Sequence, residues 1–235
     1  MPATLSHTHS QLVTRSDLKT MPPPAATETW KPIAHYDLIE AIDRQLRVRD
    51  VEIRAEHFAI QRDGARFFGV LDLALAERPD TCAAMGVRNS TDKSLSLELA
   101  VGLRVFVCDN LCFSGDLIAL RRKHTARFDL MADISKAIDR YQQHLTVLAG
   151  QVERLKHEQL THEQAKALVY DAVTQEIIPL RLLPVVSTLY QTYSEPPTAW
   201  TLHNIFTASL KQLAPAPAFA ASVELGKLFG LTTRD

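Results

Sequence analysis

Leu97–Val107 reads LELAVGLRVFV, and its odd positions are Leu97, Leu99, Val101, Leu103, Val105 and Val107. A period of two places all of them on one face of a strand. Burying each such side chain contributes roughly 1.5–3 kcal/mol, so this strand belongs at the centre of a core. The opposite face interleaves Glu98, Ala100, Gly102, Arg104 and Phe106. Gly102 leaves the backbone there open to close approach. The stretch predicts a two-sided ribbon, aliphatic beneath and cationic on top.

Turn residues bracket this strand. Asp109, Asn110 and Gly115 predict a turn in DNLCFSG, after which FSGDLIAL returns as the paired strand. Upstream, CAAMGVRN predicts a short strand. Further upstream, Val51, Ile53 and Ala55 alternate with Glu52, Arg54 and Glu56. Asp63-Gly64 supplies a turn that accepts positive φ, and Phe67, Leu71, Leu73 and Leu75 continue as a second strand. Residues 50–121 therefore read as an antiparallel β-meander of about five strands.

Helical periodicity flanks the meander. HYDLIEAIDRQLRVR sets Tyr36, Ile39, Ile42 and Leu46 near one face and predicts a helix from His35 to about Arg49. After RRKHT, the residues Met131, Ile134, Ile138, Tyr141, Leu145, Leu148, Val152 and Leu155 step alternately by three and four. They predict a helix over Asp129–Leu160 that would be ~48 Å long, more than a small sheet needs. Part of the 131–155 stripe is thus expected to face either a second copy, in a homo-oligomer, or the later helices of the same chain. THEQ at Thr161–Gln164 matches a capping box and starts the next helix. LRLLPVVSTLYQTY, WTLHNIFTASLKQL and FAASVELGKLFGL predict further helices, with a break at SEPPTA. Segregated strands and helices give the class α+β. Residues 1–30, with MPPPAA at Met21–Ala26, read as a flexible arm, and 31–235 as one α+β domain with its helical part at 129–235.

Composition narrows the function. The formal net charge is -1, so nucleic acid cannot be held by overall charge and needs a local basic patch. No apolar run approaches the ~18 residues a membrane span requires, and the N-terminal stretch has no apolar core of a secretory signal. The three cysteines, Cys82, Cys108 and Cys112, form no CxxC pair and fit a reduced, cytoplasmic setting better than a disulfide scaffold.

A basic cluster is the candidate site. Arg88, Lys93, Arg104, Arg121, Arg122, Lys123 and Arg127 lie in or beside the meander, with His124, Phe106 and Phe113 interleaved. A cationic strand face with aromatics tracks phosphates and stacks bases. Asn89 and Ser90 donate to phosphate in the same reading. The bland reading of the same residues is a polar turn and a solvated helix entry. Cys108, Cys112 and His124, with Cys82 or Asp109, lack the paired spacing of a structural zinc site, so no metal or other cofactor is expected. HExxH, GxSxG, Walker and Rossmann patterns are absent, so no catalytic residue is assigned. Asp109, Asp116 and His124 remain the only sketch of a metal-dependent hydrolase, and Cys108 or Cys112 with His124 that of a thiol pair. His7 and His9 read as solvated tail residues. His203 and Asn204, near Trp200, read as a polar dock for a helix.

GVRNSTDKSLSLELAVGLRVFVCDNLCFSG followed by RRKHT resembles domain of unknown function family 932, a group of phage- and plasmid-associated proteins. AWTLHNIFTASLK is similar to that family's C-terminal segment, and the resemblance spans about Gly86–Leu210. Thr91 stands where many members carry His, and Asp116 where Glu is common. The resemblance implies mobile-element biology and supplies no reaction. The order helix, meander, long helix also resembles single-strand annealing proteins, which form rings, a likeness of architecture only. The expected function is non-enzymatic binding of single-stranded DNA. The alternative is a protein–protein interaction module, such as an inhibitor of a host defence enzyme.

Overall fold

The computed structural model describes residues 10–75, 81–105, 110–125, 128–192 and 196–231. Its centre is an antiparallel sheet in which β1 (Gln11–Val13), β2 (Ile53–Gln61), β3 (Arg66–Leu73), β4 (Thr81–Ser90), β5 (Leu97–Val105) and β6 (Asn110–Arg122) pair in sequence order. The meander predicted from periodicity is present, with β4 longer than CAAMGVRN and β1 added at its edge. Arg62, Asp63 and Gly64 all take positive φ in the β2–β3 turn, as Asp63-Gly64 required.

Register explains the two faces. Arg88 lies opposite Glu98, Val87 opposite Leu99 and Met85 opposite Val101. Phe67, Met85, Val87, Leu97, Leu99 and Val101 therefore share one face, buried in the main core. Against it pack α2 (His35–Arg47) and α3 (Leu130–His157), and the same core reaches α6 (Ala199–Ser209).

The opposite face departs from expectation. Ala100 is fully buried there with Ala59, Phe68, Val70 and Ala84, beneath Phe219 and Val223 of α7 (Pro215–Leu228). Glu98 is also buried. The face is not an open cationic ribbon, because small Ala and Gly positions let a helix lie close upon it. Two buried large side chains on α7 contribute roughly 3–6 kcal/mol toward holding it there.

The expected turn in DNLCFSG is also corrected. β6 begins at Asn110, which pairs with Val105, and Gly102 pairs with Phe113. The ladder then slips, since Ala100 faces Ile118, so Asn110–Phe113 of the expected turn are paired strand, Ser114 and Gly115 fall in the irregular stretch, and Asp109 lies outside the described residues.

The α3 stripe faces inward. Ile134, Ile138, Tyr141, Leu145, Leu148, Val152 and Leu155 are all buried within this chain. Of the two expected occupants of 131–155, a second copy or the later helices, the chain's own α2, β5, β6 and α6 are the elements packed against α3. Of the arm, residues 10–30 are described. β1 pairs with β2, and α1 (Arg15–Lys19) starts from a capping box between Thr14 and Asp17. Residues 1–9, including His7 and His9, lie outside the described residues. α4 (His162–Thr174) starts from the predicted capping box at Thr161, and a 3-10 turn at Leu180–Leu182 leads into α5 (Leu183–Gln191), with Pro184 in its first turn. Among the described residues, no helix is long and apolar enough to cross a membrane.

Candidate nucleic-acid interface

Pairing brings one end of the sheet to the fore. Arg66 lies opposite Ser90, Arg88 opposite Glu98, Glu98 opposite Arg121 and Leu97 opposite Arg122. The β2–β3 turn, the loop 91–96 and the residues after β6 all leave the sheet at this end. Arg62, Lys93, Arg121, Arg122 and Lys123 are exposed there. Their acidic neighbours are Asp92, which holds Arg62 at 3.6 Å and Arg66 at 3.9 Å, Asp133, which lies 3.9 Å from Arg122, and Glu98.

Trp30 completes this end. It bridges to Thr125 just past β6, and the Lys93 ammonium lies 4.7 Å from its ring centroid. Lys93 has φ of 65°, a left-handed turn that fixes the loop 91–96 over the ring. Lys31 is exposed beside Trp30, and its N–H donates to the His124 carbonyl at 3.3 Å. An indole with one ammonium on its ring and a second lysine next to it in the chain can stack a base while the ammonium groups meet phosphates.

Two expected contacts are interior instead. Asn89 is fully buried, and its Nδ2–H group donates to the Ile33 carbonyl at 3.0 Å and to His35 Nδ1 at 2.9 Å. His35 Nε2–H in turn donates to the Gly64 carbonyl at 2.8 Å, and its ring stacks on Phe67. His124 is buried and its Nδ1 accepts from the Ile33 N–H at 3.2 Å. Burial holds both imidazoles below their ordinary pKa, His124 further through His35. Asn89 and His124 are thus corrected from phosphate contacts to clamps on the strap before α2, where buried polar groups need such partners.

Arg88 is also displaced from the open edge. Its guanidinium donates to Glu98 Oε2 at 2.6 Å, and Arg121 Nε donates to the same oxygen at 2.9 Å. Burial lowers the Arg88 pKa, with Glu98 opposing. Its guanidinium lies 5.8 Å from the Phe219 ring centroid, under α7. Arg88 and Arg121 are brought together, whereas Arg122 lies on the other face toward α3. For Arg104 only the backbone is described, opposite Cys82 and Leu111. Phe106, Cys108, Asp109 and Arg127 lie outside the described residues, as do the side chains of Cys112, Phe113 and Asp116. No group of three or more metal-ligating side chains occurs among the described residues.

Sequence reasoning missed Trp30, Glu98 and Phe219. Glu98 was legible as the acid interrupting a basic stretch, and Phe219 and Val223 as an i, i+4 apolar pair. Trp30 carried no local signal, since Lys93, the cation on its ring, comes from a distant segment. The family described as Domain of unknown function (DUF932) matches residues 25–225. No match is found among curated proteins or solved structures.

Proposed function

The chain belongs to the DUF932 family, and from its charge layout we propose that it is a non-enzymatic protein that binds single-stranded DNA along the basic end of its sheet. The observation that carries this reading is Lys93 seated on Trp30 with exposed Lys31, Lys123, Arg121 and Arg122 at the same end. Ammonium and guanidinium groups meet phosphates and Trp30 takes an unpaired base. A net charge of -1 makes this local patch the electrostatic handle.

The test is anisotropy of a labelled single-stranded oligonucleotide over a salt series. Engaging three of these cations gives a log–log salt slope of about -2. Lys93→Glu with Lys123→Glu should weaken binding about tenfold or more, and a duplex of the same sequence should bind less well because its bases are not free to stack. Flat anisotropy at low salt would end this reading.

A further inference from the structure

A cavity of about 690 Å³ lies between α7 and the sheet. Its floor is Arg88, Glu98 and Arg121, from three adjacent strands. Its walls include Phe219 and Leu228 of α7, and Ile177 and Pro179 after α4. Small-molecule sites have this size and this make-up, mostly apolar with a few convergent polar groups.

The floor carries excess positive charge. The Glu98 side chain is 2% exposed, and its Oε2 accepts from both guanidiniums. Two cations therefore share one carboxylate. Of the other charges lining the cavity, Lys227 pairs with Glu224 at 2.7 Å, and the exposed Glu176 carboxylate makes the lining as a whole neutral, so the positive excess is confined to the floor. Each guanidinium has five N–H donors, far more than one carboxylate oxygen can accept. Arg88 Nε is buried with no hydrogen-bond partner among the described residues, while the Arg121 side chain is 58% exposed. Such a buried donor calls for an acceptor. Glu98 thus holds two planar forks side by side with donors to spare, the arrangement that suits a phosphate.

We propose that this cavity is a site for a nucleoside 5′-monophosphate. The phosphate lies on Arg88 and Arg121, and the base lies against the apolar wall with Phe219. The same chemistry is offered by a free nucleotide and by the phosphorylated 5′ end of a strand. Arg121 is common to this cavity and the basic end, but the proposal does not rest on strand binding there, because Lys93 and Lys123 do not line the cavity.

Calorimetric titration of the full chain with each of the four deoxynucleoside 5′-monophosphates, and with inorganic phosphate, tests it. At least one nucleotide should bind saturably and about tenfold or more tighter than inorganic phosphate. Arg121→Ala should weaken that binding about tenfold or more, and this exposed position removes no core packing. Arg88→Lys, which keeps the charge and loses the fork, should do the same with an unchanged circular dichroism spectrum. Lys93→Glu with Lys123→Glu should leave nucleotide affinity intact while reducing oligonucleotide binding, so the two readings fail separately. An oligonucleotide that gains affinity from a 5′-phosphate, and loses the gain in Arg121→Ala, identifies strand ends as the source. Equal affinity with and without it identifies free nucleotides. No saturable binding, binding no tighter than inorganic phosphate, or binding indifferent to Arg121→Ala would overturn the proposal.

Discussion

His203 shows how one buried side chain sets a response to pH. It is fully buried on α6, stacked at 5.3 Å on Trp200 and edge-on to Phe229 at 5.2 Å. Burial depresses its pKa to about 3, and burial moves His35 and His124 in the same direction. In the unfolded chain these imidazoles take up protons near ~6.5. Below that value the unfolded state binds more protons than the folded one, so stability falls with pH. For His203 the loss stops growing once pH passes about 3. The urea midpoint should therefore drop between about pH 7.5 and 5, and His203→Phe should make the drop shallower. An identical drop in the variant would show that His203 titrates normally. At this scale the sequence marked His203 as a polar dock on an apolar helix, and the structure shows it buried between the Trp200 and Phe229 rings. It placed Asn89 and His124 on the surface, because an RNS turn and an RRKH run look solvated until Ile33 is seen to bond one side chain of each.

At the scale of elements, the segment of β1 and α1 depends on one cation. Arg15 of α1 donates to Glu40 at 2.9 Å and to Asp43 at 2.8 Å, and it pairs with Glu56 of β2. Burial works against its charge, but the Glu56 and Asp43 carboxylates outweigh this and raise its pKa. Burial likewise disfavours the Asp43 carboxylate, and Arg47 and Arg15 more than offset it, so its pKa is lowered. Removing Arg15 leaves these carboxylates poorly compensated. Arg15→Ala should cost about 1–3 kcal/mol by urea denaturation, less than a fully buried pair because the cluster is partly solvated. Hydrogen exchange should also show β1 and α1 opening first. Protection of Gln11–Lys19 equal to the parent would contradict that role. The sequence read this segment as loose because its Thr, Ser and Pro content resembles a tail. Its anchors, Glu40, Asp43 and Glu56, are distant along the chain.

Across the whole molecule, both faces of the sheet are covered by helices. The main core extends from Val13 to Leu231. The second, smaller cluster depends on Phe219 and Val223. Phe219→Ala should cost about 3–5 kcal/mol, since it deletes a large buried ring from a small cluster. It should also expose the Ala100 face to a hydrophobic dye. A variant with the parent's urea midpoint would mean that α7 contributes little to the fold. The same helix roofs the Arg88–Glu98–Arg121 cavity, so nucleotide affinity and global stability should fall together in that variant.

Local periodicity by itself determined the α+β class, the order of the central strands, the long third helix and the residues of its apolar stripe, and the capping box before α4. Each follows from side-chain spacing along one segment, which a sequence displays directly. Only the tertiary structure decided what lies over each surface. It turned the α3 stripe toward this chain's own helices, laid α7 on the face that read as cationic, and paired Arg88 and Arg121 through Glu98. It also placed Trp30 under Lys93. Burial and ion pairing between distant segments are set by packing of the whole, and no window of residues contains them.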